Sequence, residues 1–368
     1  MPIEPFKLER FYARYEFTTP YMLSSSDSEA CTIGDLLALE PDAAERFAAH
    51  WLGYTEGQGA PWLREAITAL YQGITPDQVL AHTGAEEAMF TFFHAVLQPG
   101  DQVVVQTPCY QSALSLPRSL GCEVTAWPCR EEHGWAPDLN ALEHTLTPAT
   151  RVLYLNTPHN PTGYHLAVDP FIRVLRLAEE RGIVVFCDEV YRELEHDPAL
   201  RLPAACDVSA SAVSLGVLSK SYGLPGLRLG WVASRNTPVL RGMAQIKDYT
   251  TICNSAPSEF LAALALRQRV RLLARNLAIV QHNLPLLDAF FARHVDRFTW
   301  VRPSAGPIAF PRLVGDQDVE AFCAEVAAQA GVLLAPGTLY DCPGHFRVGF
   351  GRRNMPEALA RLEAHLSL

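Results

Sequence analysis

The sequence predicts an α/β protein in which a large unit with a mostly parallel sheet between helices is joined to a smaller α+β unit. Three observations carry this expectation. From residue 75 to 235, short β-branched runs alternate with amphipathic stretches of roughly 10 to 15 residues, the pattern of βαβ units. A stretch without Gly or Pro then runs from Glu259 to Leu284. Beyond it the chain changes to brief strand-like pieces and two helical segments. At 368 residues the chain is too long for one ordinary core and suits a large domain with a companion. The expected division is a large domain over 46–264 and a small one made of 1–45 and 265–368.

The elements follow in order. VLAHT, ending at Thr83, reads as a strand, and EAMFTFFHAVL after Glu86 as a helix. Further strands are expected at Gln102 to Pro108, Cys122 to Pro128, Arg151 to Pro158, Ile183 to Val190, Ala212 to Ser219 and Leu229 to Ser234. Several are apolar on both faces, as strands covered by helices on both sides must be. The stretch from Ser258 to Pro285 reads as one unusually long helix. In the last third, strands near Phe298 to Val301, Pro307 to Phe310 and Phe346 to Phe350 alternate with helices near Val319 to Ala330 and Pro356 to His365. The first forty residues have no sheet of their own and are expected to join this C-terminal unit.

Composition removes several classes of function. Hydrophobic residues at 49% and charged residues at 19% describe a packed globular chain. A formal charge of −10 argues against a nucleic-acid surface while leaving room for a local anion pocket. Nine cysteines without a C-x-x-C pair point to reduced thiols and to no structural metal. The opening residues include Glu4, Lys7, Glu9, Arg10, Arg14 and Glu16, and no later run reaches 18 apolar residues, so a cytoplasmic chain without a membrane span is expected.

In an open parallel sheet, ligands sit beyond the carboxyl ends of the strands, so polar residues there carry special weight. Lys220 ends an apolar run; burial would favour its neutral amine, a nucleophile for a carbonyl carbon, although a lone lysine can equally reach to solvent. Asp188 ends Val-Val-Phe-Cys, where an ionised carboxylate needs a cation, and a pyridinium nitrogen supplies one; the plain alternative is a helix cap. A lysine forming a Schiff base together with an aspartate on the ring nitrogen is the arrangement that binds pyridoxal phosphate. Asn160, in a rigid Asn-Pro-Thr-Gly turn, and Tyr191 can both reach a ring hydroxyl, while turn chemistry alone would also explain Asn160. Gly84, Ala85 and Glu86 open a helix whose N-terminal amides favour an anion. Ser219 and Arg228 can complete that cradle, with Arg228 expected to be semi-buried in GLPGLRLGW. Tyr110 can stack on a planar ring or simply pack in the core. Arg347, within FRVGF, offers a fork to a substrate carboxylate or a salt bridge to a neighbouring helix.

Six pieces in fixed order resemble the class I/II aminotransferase family, the fold type I pyridoxal phosphate enzymes. They are YTEGQGAPWLR from Tyr54, the turn from Thr83 to Ala88, Asn156 to Gly163 (NTPHNPTG), Asp188 to Tyr191 (DEVY), Ser219-Lys220 with GLPGLR ending at Arg228, and Phe346 to Phe350. The resemblance implies a seven-stranded, mostly parallel sheet and covalent attachment of pyridoxal 5'-phosphate through Lys220. It implies that Asp188 holds the ring nitrogen protonated, that Asn160 and Tyr191 contact the ring hydroxyl, and that Tyr110 covers the ring. Gly84, Ala85, Glu86, Ser219 and Arg228 would hold the phosphate, with Tyr54 reaching it from the second subunit of a homodimer. Arg347 and Asn160 would bind the substrate's α-carboxylate.

Two departures bear on the reaction. Val217 stands where a phosphate-binding hydroxyl is frequent, and the usual Gly-rich N-terminal segment is replaced by Ser24 to Glu29 (SSSDSE). That run, with Leu8 to Phe11 (LERF) before it and Ile246 to Tyr249 (IKDY) later, is similar to capreomycidine synthase and related enzymes that cyclise a hydroxylated arginine. Carboxylates at Glu9, Asp27 and Glu29, with a hydroxyl such as Ser25, would suit a cationic substrate terminus; a solvated arm is the alternative. The expected activity is amino-group transfer from an L-α-amino acid to a 2-oxo acid. The alternative is cyclisation, elimination or replacement at Cβ or Cγ of an arginine-like substrate, and a non-catalytic binding protein is a remote third. A serine hydrolase and a Rossmann dehydrogenase fail for want of G-x-S-x-G and of a strand followed by G-x-G-x-x-G.

Overall fold

Residues 2–367 are described by a computed structural model. Seven strands make one sheet: β1 (Val79–His82), β2 (Gln102–Thr107), β3 (Glu123–Pro128), β4 (Thr150–Asn156), β5 (Val184–Asp188), β6 (Val213–Val217) and β7 (Gly230–Ser234). Their order is β1-β7-β6-β5-β4-β2-β3. Neighbours from β3 through β6 pair in parallel, while β7 runs antiparallel to β6 and β1 antiparallel to β7. The reversal at β7 has a simple cause. Only twelve residues separate Val217 from Gly230, and they hold no α-helix to make a crossover. This short return brings Lys220 and Arg228 to the same edge of the sheet.

The period of two along each strand divides the core. Val103, Val105, Val152 and Tyr154 pack with Phe92, Phe93 and Met243 from helices Ala85–Val96 and Thr237–Lys247. Val104, Leu153, Leu155 and Val185 face the other way, onto Phe171 and Val174 of helix Val168–Glu180. Under the β1–β7 edge, Val79, Ala81 and Trp231 meet Leu63 and Leu264, and Leu36 and Ala43 also pack here, against the large sheet.

The C-terminal part contains β8 (Phe298–Thr299), β9 (Ile308–Ala309), β10 (Arg312–Leu313), β11 (Ala335–Pro336) and β12 (Phe346–Gly349). β8 pairs with β10, and β11-β12-β9 form a small antiparallel sheet. Leu23 from the N-terminal segment sits in this core with Val280, Phe290, Val348 and Leu362, and Tyr21 bridges to Val332. The single long helix expected after Ser258 is two helices, Ala256–Arg267 and Arg269–Arg293, separated at Gln268. Glu40 fixes the break by accepting from both Arg267 and Gln268. The second helix continues through Pro285 because Leu284, Leu287, Phe290 and Phe291 bury its inner face, outweighing the lost backbone bond.

Candidate active site

A cavity of about 370 Å³ opens at the carboxyl ends of β4, β5 and β6. Asp188 is the last residue of β5, opposite Asn156 of β4 and Leu215 of β6. The turn after β4 supplies Asn160, whose amide donates to Asn156 Oδ1 at 2.7 Å. Tyr191 follows β5, Ser219 and Lys220 follow β6, and all five side chains line the cavity.

Asp188 is buried, with Oδ2 accepting from Tyr154 Oη at 2.9 Å and Oδ1 from the Val190 amide at 3.2 Å. Burial pushes its carboxyl up to about 6, against the pull of these two donors and of the Lys220 charge. Lys220 is half-buried, and burial lowers its amine below the ordinary lysine value, partly countered by Asp27 and Asp188. Its Nζ donates to Ser26 Oγ at 2.8 Å. The Tyr191 hydroxyl is buried with no hydrogen-bond partner among the described residues, and burial raises it above the usual tyrosine range.

Gly84 adopts φ 86° at the start of helix Ala85–Val96, and a Cβ there would lie 2.8 Å from Arg228 Nη2. Glycine therefore lets the guanidinium close over the helix N-terminus, where Ala85 and Glu86 present first-turn amides lacking intrahelical partners. The sequence expectation that Arg228 is semi-buried is corrected: it is exposed, donating to the Pro225 carbonyl at 3.1 Å. Its left-handed backbone, φ 48°, turns the side chain outward along the cavity rim instead of into the apolar segment. Ser219 lines the same end, as does Val217. Glu86 points its carboxyl inward, hydrogen-bonded by Ser112 Oγ, and burial pushes it up to about 7.

Arg347, on β12, is only 1% exposed. Nε and Nη2 donate to the Ser24 carbonyl at 3.1 and 2.9 Å, Nη2 also to Tyr12 Oη at 2.7 Å, and Nη1 to Asn160 Oδ1 at 3.2 Å and to Tyr340 Oη. All five N–H groups are used, yet no carboxylate among the described residues pairs with the charge. The salt bridge to a neighbouring helix considered for Arg347 is absent. A buried guanidinium held by neutral dipoles at a cavity wall is suited to an anionic ligand.

The N-terminal segment is a packed wall rather than a solvated arm. Ser24, Ser25 and Ser28 are buried, and Gly349 approaches so closely that a Cβ would fall 1.8 Å from the Ser25 carbonyl. Glu9, Ser25 and Asp27 line the cavity as the sequence suggested. Glu29 does not: its carboxylate accepts from the Arg353 amide at 3.2 Å and faces a separate groove. Asp27 holds Arg352 through both oxygens at 3.1 Å. Tyr110 lines the cavity, donating to Glu9 Oε1 at 2.8 Å. Tyr54 is exposed and takes no part in the lining.

Sequence reasoning missed Tyr12, Glu16 and Arg352, all of them cavity residues. The first two had a signal: Glu9, Tyr12 and Glu16 stand at i, i+3 and i+7, one face of helix Lys7–Tyr15 and its cap. Burial raises the Glu16 carboxyl, with Arg352 opposing and Asp27 and Glu9 adding to the rise.

The cavity is thus lined by a buried cation at Arg347, by carboxylates at Glu9, Glu16 and Asp27, and by a lysine whose charge acts on a buried aspartate. The sequence profile described as aminotransferase class I and II matches residues 27–362. The chain belongs to that family. Capreomycidine synthase from Streptomyces vinaceus is 33% identical over 99% of this chain and 93% of its own. A pyridoxal phosphate-dependent aminotransferase from Streptococcus suis superimposes with TM-score 0.94 at 30% identity, covering 100% of this chain and 98% of that one. The pyridoxal phosphate-dependent cyclase OrfR gives 0.91, also at 30%, with the same coverage. Family members of this kind use pyridoxal phosphate, and the residues here fit it. The buried acid Asp188 makes no ion-pair contact among the described residues, the buried Tyr191 hydroxyl has no hydrogen-bond partner among them, and Gly84 leaves the space a phosphate cradle needs. Among the described residues no helix is long and apolar enough to cross a membrane.

Proposed function

We propose that this protein is a pyridoxal phosphate-dependent enzyme acting on an L-α-amino acid with a cationic side chain, and that it carries out cyclisation, elimination or replacement at Cβ or Cγ of an arginine-like substrate. The observation that carries the reading is the pair of opposite poles in one cavity. Arg347 lines it without a carboxylate partner among the described residues, while Glu9, Glu16 and Asp27 line it too, with only Asp27 ion-paired, to Arg352. An α-carboxylate at the first pole would place a side-chain cation at the second. The near full-length likeness to capreomycidine synthase includes the segment that supplies Glu9, Glu16 and Asp27.

In this reading Lys220 carries the cofactor covalently, Asp188 keeps the ring nitrogen protonated, and Asn160 and Tyr191 meet the ring hydroxyl. The Gly84–Glu86 turn, Ser219 and Arg228 hold the phosphate, Tyr110 covers the ring, and a homodimer brings Tyr54 to the phosphate from its second copy. The domain division is the one read from the sequence, 46–264 against 1–45 with 265–368, with Leu36 and Ala43 of the N-terminal part lodged against the large sheet. When bound, the cofactor supplies an electron sink that makes the substrate's Cα proton acidic. The chain's residues do the rest. Arg347 and Asn160 fix the carboxylate, which sets the face of Cα presented to Lys220. The Lys220 amine, lowered by burial, takes up and returns the α-proton. The acidic wall holds the distal cation and fixes how far the side chain extends.

Transamination is the second reading, favoured by the likeness to the Streptococcus suis aminotransferase. The acidic wall restricts it: a dicarboxylic 2-oxo acid in this cavity would set its second carboxylate against like charge, so the acceptor would be short and neutral. The test is product analysis by mass spectrometry after incubation with L-arginine, hydroxyarginines and neutral amino acids, with and without pyruvate or 2-oxoglutarate. A dehydrated or cyclised product without an oxo acid supports the first reading. Strict dependence on an oxo acid overturns it in favour of the second. For the site, Lys220→Ala should abolish both turnover and the borohydride-reducible covalent link; a link that survives rejects the assignment.

A further inference from the structure

The hydrogen bond from Lys220 Nζ to Ser26 Oγ, at 2.8 Å, joins the large sheet's loop to the N-terminal segment across 194 residues. Nothing in the local backbone asks for a serine there. Ser26 caps no helix and ends no strand, and Lys220 is the partner its hydroxyl has. The position of the hydroxyl is nevertheless fixed from both sides. On one side the Gly349 amide donates to the Leu23 carbonyl at 2.8 Å and the Glu29 amide to the Gly351 carbonyl at 2.8 Å. On the other, the Ser28 amide reaches the Lys220 carbonyl at 3.4 Å. Arg347 adds two donors to the Ser24 carbonyl, two residues away.

We propose that Ser26 is a positioning residue for Lys220: its hydroxyl holds the free amine in one place and raises its affinity for a proton when the lysine is not covalently engaged. This rests on Lys220 being the residue that carries the cofactor. The physical ground is that an oxygen accepting from an amine stabilises the ammonium more than the neutral amine, since the bond to the charged donor is the stronger one. The neighbours do not replace it. Asp27 on the same segment, Asp188 at the end of β5 and Glu9 on the first helix all favour the charged lysine, and Arg347 on β12 opposes it, but none of the three carboxylates is hydrogen-bonded to Nζ. The Ser26 hydroxyl also acts on the Tyr191 oxygen, though outside hydrogen-bond geometry, so one side chain influences both groups that flank the ring position. The amine is thereby kept at the wall formed by the N-terminal segment, within the same cavity as the carboxylate fork, instead of swinging between carboxylates.

The sequence makes the test clean, because it holds three lysines only: Lys7, Lys220 and Lys247. Full-length protein freed of cofactor is labelled with trace acetic anhydride across pH 6 to 11, and each lysine is followed by peptide mass spectrometry in wild type, Ser26→Ala and Ser26→Thr. Acetylation reports the neutral amine. Loss of the hydroxyl should lower the Lys220 midpoint by about one pH unit, a tenfold change in the charged-to-neutral ratio, with threonine restoring it. Lys7 and Lys247 should be unchanged. A Lys220 midpoint that stays at the wild-type value in Ser26→Ala, or a threonine variant that behaves as alanine, overturns the proposal. Borohydride reduction of the loaded wild type, followed by peptide mapping, tests the underlying reading separately: cofactor found on another residue would refute that reading, whereas the Ser26 effect on the midpoint would still stand or fall on its own data.

Discussion

Asp188→Asn should stabilise the cofactor-free protein and weaken the loaded one. The wild-type carboxyl is pushed from an ordinary 3.8 up to about 6 because it is buried and only two donors, Tyr154 Oη and the Val190 amide, reach it. A folded-state value above the unfolded one means that the contribution to stability is complete below about 4 and is lost as pH rises through about 6. The displacement corresponds to about 3 kcal/mol at neutral pH and above, and asparagine, which cannot ionise, removes that cost. Asparagine must still offer acceptors or donors to Tyr154 and Val190, and an imperfect match returns part of the gain, leaving about 2 kcal/mol. Urea unfolding of cofactor-free wild type and Asp188→Asn at pH 4, 6 and 8 measures this. The variant should be slightly less stable than wild type at pH 4 and about 2 kcal/mol more stable by pH 8; part of the change comes through Glu86, whose raised carboxyl is pushed up in part by Asp188. In the loaded protein the sign reverses, since the carboxylate then has a cationic ring nitrogen to neutralise, so the variant should lose cofactor faster on dialysis. Parallel stability curves across the pH range, or unchanged cofactor retention, would refute the reasoning that this acid is held for a cation.

Two further outcomes follow from the C-terminal part. His345 is lowered by burial but raised further by its bonds with Cys342 and Glu131, reaching about 9, and so its contribution is full below 6.5 and lost as pH rises through about 9. Glu131→Gln should therefore cost about 2 kcal/mol near pH 7 by thermal or urea unfolding, with the deficit narrowing above pH 9; a deficit independent of pH would assign the effect to the Arg312 and Thr299 bonds alone. Gly349→Ala would force a methyl to within 1.8 Å of the Ser25 carbonyl, so the N-terminal segment must move. Turnover should fall at least tenfold and stability by about 2 kcal/mol, as for overpacked sites; an unchanged enzyme would show that the Ser25 carbonyl is not packed against Gly349.

The large sheet's contribution to the site was legible because parallel-sheet logic assigns meaning to strand ends. Asp188, Ser219 and Lys220 each follow an apolar run, and a run's end can be read without any tertiary contact. Arg347 was legible from alternation in FRVGF. What could not be read was which distant segments close over those ends. Arg352 meets Asp27 across 325 residues, and Arg347 meets Ser24 across 323, and no local pattern encodes either encounter. The error at Arg228 has the same origin: GLPGLRLGW looks apolar on paper, but its left-handed backbone turns the guanidinium out to the rim. The break at Gln268 depended on Glu40, another remote partner.

The segment from Ser24 to Asp27 ties three parts of the cavity together. Its carbonyl at Ser24 occupies two donors of Arg347, its Ser26 hydroxyl holds Lys220, and its Asp27 carboxylate engages Arg352. One stretch of four residues therefore touches the Arg347 guanidinium, Lys220 and Arg352 at once. Because all five Arg347 donors are already used, a bidentate ligand at that fork must displace acceptors, and the Ser24 carbonyl alone supplies two of the five bonds. Any shift of Ser24 is carried through two peptide units to Ser26 and hence to the Lys220 amine. Replacement of this short stretch by a Gly-rich one would remove the hydroxyl and the acid together while leaving the sheet, Asp188 and Lys220 where they are, so substrate choice and the state of the lysine would change with no change of fold.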